Sequence, residues 1–133
     1  DIKIAVDRKN SIDEICGNLC SSENEHRRFR EEAITAQKAG AKFYVVIETE
    51  EKIRCLDDIR KWSNPRLHRY NKINYMHRLG KWQNVKNSGS RPPCDNIRLM
   101  KTMYTMAQKY SIIWVFCSPY ESAAKIVELL TGE

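Results

Sequence analysis

The sequence predicts an α/β fold, a parallel or mixed sheet flanked by helices. Strand-like apolar runs alternate with amphipathic helical stretches in the order β-α-α-β-α-(basic insert)-α-β-α, the pattern of layered α/β domains. Two of the runs, residues 42–47 and 112–117, are almost continuously apolar, as strands buried on both faces are. A length of 133 residues suits one domain with one core. No apolar run reaches the ~18 residues a membrane span needs, and no secretory segment opens the chain. Three strands are few for such a sheet. The chain also begins without Met, directly inside a strand, so it is expected to be a trimmed piece whose N-terminal strands are missing.

Residues 2–8 alternate as a half-buried strand does. Ser11 and Glu14 form a capping box for a helix over 12–20, with Ile12, Ile15, Cys16 and Leu19 on one face. Ser22 and Glu25 cap a second helix running to Ala39, where Gly40 supplies a C′ residue. Its apolar side is Phe29, Ala33, Ile34 and Ala36. A strand over 42–48 and a short helix over 56–62 follow. Asn64-Pro65 is then expected to break the pattern. A basic insertion of about 62–94 comes next, read as a mobile loop with one helical piece near 73–79. Over 95–110, Ile97, Met100, Met103, Tyr104 and Ala107 repeat at helical spacing as core, the methionines being filler. The last strand covers 112–117. The last helix opens with Ser118 as N-cap, Pro119 at N1 and Glu121, and is expected to bury Val127 and Leu130.

The chemistry concentrates at the end of the first strand. Side chains two apart on a strand share a face, so Asp7 and Lys9 project together while Arg8 points the other way. A carboxylate can hold a hard divalent cation through oxygen. The cation polarises a phosphoryl group and generates hydroxide, and the ammonium orients water or offsets developing charge. Asp13 falls in the first turn of the next helix, where a carboxylate complements the helix dipole.

Charge is unevenly spread. The net charge is +6, yet the stretch 59–94 contains none of the 17 acidic residues and nine of the 23 basic ones. These are Arg60, Lys61, Arg66, Arg69, Lys72, Arg78, Lys81, Lys86 and Arg91, interleaved with Trp62, Tyr70, Tyr75 and Trp82. Cations that displace counterions and rings that stack on unpaired bases together suit a nucleic-acid surface, with Tyr75 and Trp82 as the stacking candidates. Five cysteines, an odd number scattered through periodic segments, read as reduced and buried thiols of a cytoplasmic protein. Cys16 and Cys20 stand one helical turn apart with His26 close in sequence. A zinc site is conceivable there, but no second Cys/His pair follows at finger spacing.

Asp7-Arg8-Lys9-Asn10-Ser11-Ile12-Asp13 resembles the Glu-Arg-Lys-x-x-x-Asp signature of the XPF-type (excision-repair cross-complementing) nuclease domain, with Asp7 in place of Glu. That family belongs to the PD-(D/E)XK, restriction-endonuclease-like group. Residues 26–32 are similar to its Arg-Phe-x-Glu-Gln helix, with Glu32 replacing Gln. Residues 42–48 and 112–117 look like its later core strands, and 98–110 like the helix between them. The likeness covers most of the chain apart from roughly 64–92, and the overall pattern is similar to short single-domain members from bacteria and phages. It implies a restriction-endonuclease-like mixed sheet with an antiparallel hairpin leading into the first strand. It also implies Mg²⁺ or Mn²⁺ as cofactor, Asp7 as metal ligand, Lys9 as catalytic partner and Arg8 as an anchor to acidic groups. Asp13 and Arg28 would support the site. The family's other metal ligand, the Asp of an upstream Gly-Asp, has no counterpart here. Glu48 is the first substitute to examine, although a capping or solvated role suits it as well.

The function implied is a metal-dependent endonuclease acting on branched or flapped DNA. A homodimer through the domain itself is left open. The alternative is a nuclease-fold module that grips DNA or a protein partner and cuts nothing. A nucleotide-binding or signalling domain fits less well, since no Gly-x-Gly-x-x-Gly or Gly-x-x-x-x-Gly-Lys-Ser/Thr occurs. A Cys–His nucleophile at Cys117 lacks a neighbouring histidine in the sequence.

Overall fold

A computed structural model of the chain describes residues 3–80 and 92–132. Strand β1 (Lys3–Lys9) leads into α1 (Ile12–Cys20) and α2 (Glu23–Lys38), followed by β2 (Ala41–Glu48). A 3-10 helix (Leu56–Lys61), α3 (Pro65–Arg78), α4 (Asn96–Tyr110), β3 (Ile112–Cys117) and α5 (Ser122–Thr131) complete it. Among the described residues the sheet has three strands in the order β1-β2-β3, all parallel. The antiparallel partner that a mixed sheet requires is not among them. None of the described helices is long and apolar enough to cross a membrane.

Register decides what each face of the sheet carries. Asp7 lies opposite Val45 and Lys9 opposite Ile47, and these in turn oppose Trp114 and Phe116. Laterally paired residues point the same way, so one face carries Ala5, Asp7, Lys9, Phe43, Val45, Ile47, Ile112, Trp114 and Phe116. The apolar members pack with Ile15, Cys16 and Leu19 of α1, Phe29 and Ala33 of α2, and Leu99 and Met103 of α4 into one core. The opposite face carries Arg8, Val46, Glu48, Val115 and Cys117, with α5 against it through Ser122. Helices thus cover both faces, and β1 is an edge.

The caps explain where helices begin. Ser11 Oγ accepts from the Glu14 amide at 3.1 Å, and Ser22 Oγ from the Glu25 amide at 3.2 Å. Gly40 closes α2 at φ +71°, a left-handed conformation that costs glycine little.

Four expectations are corrected. Asn64-Pro65 starts a helix: Asn64 Oδ1 accepts from the Arg66 amide at 3.0 Å, and Pro65 occupies N1, where its missing N–H is not needed. The helical piece expected near 73–79 therefore extends back to 65, into the stretch expected as a loop; 81–91 lie outside the described residues. In α4 the buried stripe is Leu99, Met100, Met103 and Met106, while Ile97 and Tyr104 are exposed. Tyr104 reaches outward to donate a hydrogen bond to the Asp57 carboxylate. In α5 the helix begins at Ser122, because Ser118–Glu121 is spent on a closed turn in which the Glu121 amide donates to Ser118 O at 3.0 Å. Ser122 faces the sheet, and Val127 and Leu130 are exposed. Finally, the cysteines are not uniformly buried. Cys16, Cys94 and Cys117 are, Cys20 is half-buried and Cys55 is exposed, and all five are free thiols.

Candidate functional site

Asp7 and Lys9 meet at the carboxyl end of the edge strand. Lys9 Nζ stands 3.1 Å from Asp7 Oδ2, and the Lys9 and Asp7 side chains are 12% and 29% exposed. The same ammonium lies 5.7 Å from the centroid of the Phe29 ring. That ring is itself stacked on Trp114 at 6.0 Å and tilted against Phe43 at 6.3 Å. The lysine stem is thus buried along apolar surface, with its head held between a carboxylate and an aromatic face. Desolvation makes such a pair sensitive to loss of either partner. Asp7 keeps the more open position.

Arg8 turns to the other face. Its Nε stands 2.5 Å from Glu48 Oε2, which also accepts from Ser122 Oγ at 2.9 Å. The guanidinium, followed by the Ser122 hydroxyl, holds the Glu48 carboxyl below its ordinary value. Glu48 is a buried anchor joining β1, β2 and α5. Its position one strand residue beyond Ile47 puts it on the face away from Asp7, as the strand period of two carried across the sheet by the register requires.

The two expected supporting residues are paired with other groups. Asp13 Oδ1 pairs with Arg66 Nη2 at 3.1 Å, tying α1 to the first turn of α3. Arg28 Nη1 pairs within its own helix with Glu25 Oε1 at 3.3 Å and is largely exposed. One residue away from the inward-facing Phe29, it is turned about 100° around the helix axis. The structure therefore brings together two of the five expected residues, Asp7 and Lys9. Among the described residues, no cluster of three or more acidic, imidazole or thiol ligands includes Asp7. A magnesium ion that keeps its waters is held by one or two carboxylates. Asp7 fits as one of them.

The basic element is mostly α3. It carries no acidic residue and buries none of its side chains. Arg66, Arg69, Lys72, Tyr75 and Arg78 are all exposed along it. Its anchor is at its base, where the buried Asn64 donates through Nδ2 to Cys94 O at 2.8 Å. Arg60 and Lys61 lie exposed on the preceding 3-10 helix, and Lys61 pairs with Asp58 at 3.1 Å. Trp62 packs partly against the core. Lys81, Trp82, Lys86 and Arg91 lie outside the described residues.

One cluster is only half visible in the sequence. Cys16, Cys20 and Cys94 place their Sγ atoms within 4.8 Å of one another. Hydrogen bonding from Cys16, then from Cys94, pulls the Cys20 thiol down, with Arg98 adding to the effect. Cys16 is pushed up chiefly by its bond to Cys20, and Cys94 chiefly by its bond to Cys16. The trio opens into a surface cavity also bordered by His26, Arg66 and Arg98. Cys16-x-x-x-Cys20 with His26 is the signal the sequence offers. Cys94 arrives from far along the chain, so its role emerges only from the fold. The chain matches no family model, no curated protein and no solved structure.

Proposed function

We propose that this is a DNA-binding phosphodiester hydrolase of the XPF-type, restriction-endonuclease-like kind, selective for branched or flapped DNA, with Asp7 and Lys9 at its working edge. The observation that carries the reading is the 3.1 Å approach of the Lys9 ammonium to the Asp7 carboxylate. It stands at the carboxyl end of a parallel strand, where open α/β sheets place their ligands. When bound at Asp7, Mg²⁺ or Mn²⁺ would supply Lewis acidity and an acidified water. Lys9, shielded by Phe29 and fixed against Asp7, offers a preorganised positive charge for a phosphate oxygen on which negative charge gathers. Arg8 and Glu48 hold the strand end rigid from behind. Arg66, Arg69, Lys72 and Arg78 on α3 contact the DNA backbone, and Tyr75 stacks on a frayed base.

The test is cleavage of flap and four-way-junction DNA by the full-length protein in Mn²⁺, beside its Lys9→Ala form. The expected outcome is cleavage by the wild type and a loss on the order of 10²-fold or more in the variant, the scale of removing one preorganised charge. Equal cleavage by both forms contradicts the proposal.

A second reading, a nuclease-fold module that binds without cutting, is favoured by one observation: Glu48 is committed to Arg8 and Ser122 on the far face. Salt-sensitive binding with no cleavage by the intact wild type selects it.

A further inference from the structure

We propose that Cys16, Cys20 and Cys94 form a zinc site, completed by His26, that clamps the end of α1 to the segment entering α4. This stands apart from the nuclease reading, and none of its four ligands belongs to that reading. The geometry carries it. Thiolates at ~2.3 Å from a tetrahedral zinc lie about 3.8 Å apart, and the three Sγ atoms already fall within 4.8 Å of one another. Small torsions of three side chains close the difference. Two of the ligands are fixed one turn apart on α1. The third is held in place by its backbone, since Cys94 O accepts from the buried Asn64.

His26 provides an independent indication. Its Nδ1 lies 2.8 Å from Leu19 O. A carbonyl oxygen only accepts, so Nδ1 carries the proton and the lone pair of the neutral ring is on Nε2. A backbone carbonyl on one ring nitrogen is how proteins orient a histidine ligand for metal at the other. His26 borders the same cavity as the three thiols but stands outside the group whose ligand atoms lie within 4.8 Å of one another, so its ring must swing toward them to supply the fourth bond. Charge is also accommodated. Three thiolates and a neutral imidazole on Zn²⁺ leave one net negative charge, and the cavity is bordered by Arg98, by Glu23 and by Arg66, which is paired with Asp13. Binding sends the thiol protons to solvent, so affinity rises with pH. Four protein ligands make the site structural rather than catalytic. It lies at the base of α3, where Asn64 also anchors, and so fixes the root of the basic helix.

The experiment is metal analysis of the full-length protein purified under reducing conditions without chelator, followed by replacement with Co²⁺. About one zinc per chain is expected, as a closed four-ligand site holds one ion, and the cobalt form should show thiolate-to-metal charge transfer with tetrahedral ligand-field bands. Cys94→Ser should lose the charge-transfer intensity of one thiolate, and Cys55→Ser, outside the cluster, should keep it all. His26→Ala should weaken zinc binding by about 10-fold or more, and unchanged affinity would remove His26 from the site. Less than about a tenth of an ion per chain, with no charge-transfer band on adding cobalt to the folded, reduced wild type, overturns the proposal. So does a cobalt spectrum identical in the wild type and Cys94→Ser. The wild-type spectrum decides the matter even where a cysteine variant does not fold.

Discussion

Around β1 the direction of each side chain follows from its place in the strand and determines its chemistry. Asp7 and Lys9 face the aromatic layer of the core, and Arg8 faces Glu48. Phe29 joins the two environments of Lys9, apolar core and charged edge. Phe29→Ala should destabilise the fold by about 3–5 kcal/mol, measured by urea denaturation; a loss below about 1 kcal/mol would mean that the ring is not the core element described. Glu48 makes a pH prediction. Its folded pKa lies below the ordinary carboxyl value because of Arg8. Its stabilisation is therefore complete above the unfolded pKa of about 4.3 and is lost as pH falls through the lower, folded value. Glu48→Gln should lower Tm at neutral pH and converge with the wild type in acid. A constant Tm offset across that range would show that the Arg8 pair does not set the titration.

Among the elements, α3 depends most on its first residues. None of its side chains is fully buried, and at its start Asn64 both caps it and ties it to Cys94 O, beside the Arg66–Asp13 pair. Asn64→Ala removes a cap worth about 1 kcal/mol and orphans a carbonyl at a further ~1–3 kcal/mol. The expected consequence is faster amide exchange through 65–78, and exchange unchanged from wild type would mean that the helix is held elsewhere. On DNA, Arg69→Ala with Lys72→Ala should reduce the slope of log Kobs against log salt by about 2, roughly one for each phosphate left without its cation. An unchanged slope would place the DNA on another surface. This helix also marks the boundary of what is legible in the sequence. Asn-Pro is both a turn signal and an N-cap followed by an N1 proline, and with few apolar residues helical periodicity registers only the piece near 73–79. Where a stripe exists, as in α1 with Ile12, Ile15, Cys16 and Leu19, spacing and capping identify helix and buried face together. In α4 and α5 the helices are legible but not their rotation, because Ile97, Tyr104, Val127 and Leu130 are apolar and exposed.

For the whole molecule, a sheet flanked by helices is readable from alternation and from the two buried runs, whereas the all-parallel course of the three strands among the described residues is not. Nor is the distribution of chemistry over the two faces. It depends on the registers Asp7 to Val45 and Arg8 to Val46, which no local pattern encodes. Hence the Asp7–Lys9 pair follows from strand period alone, whereas the positions of Glu48, Asp13 and Arg28 need the fold. The molecule that results keeps its two carboxylates on opposite sides of one sheet, Asp7 at the aromatic face and Glu48 behind it. The proposal that Asp7, and not Glu48, serves the reaction is tested most directly by single-turnover cleavage of a flap substrate by intact wild type, Asp7→Asn and Glu48→Gln at one neutral pH, each checked for folding. The account predicts a rate reduced on the order of 10²-fold or more in Asp7→Asn and close to wild type in Glu48→Gln. Loss in Glu48→Gln with Asp7→Asn unaffected would contradict it.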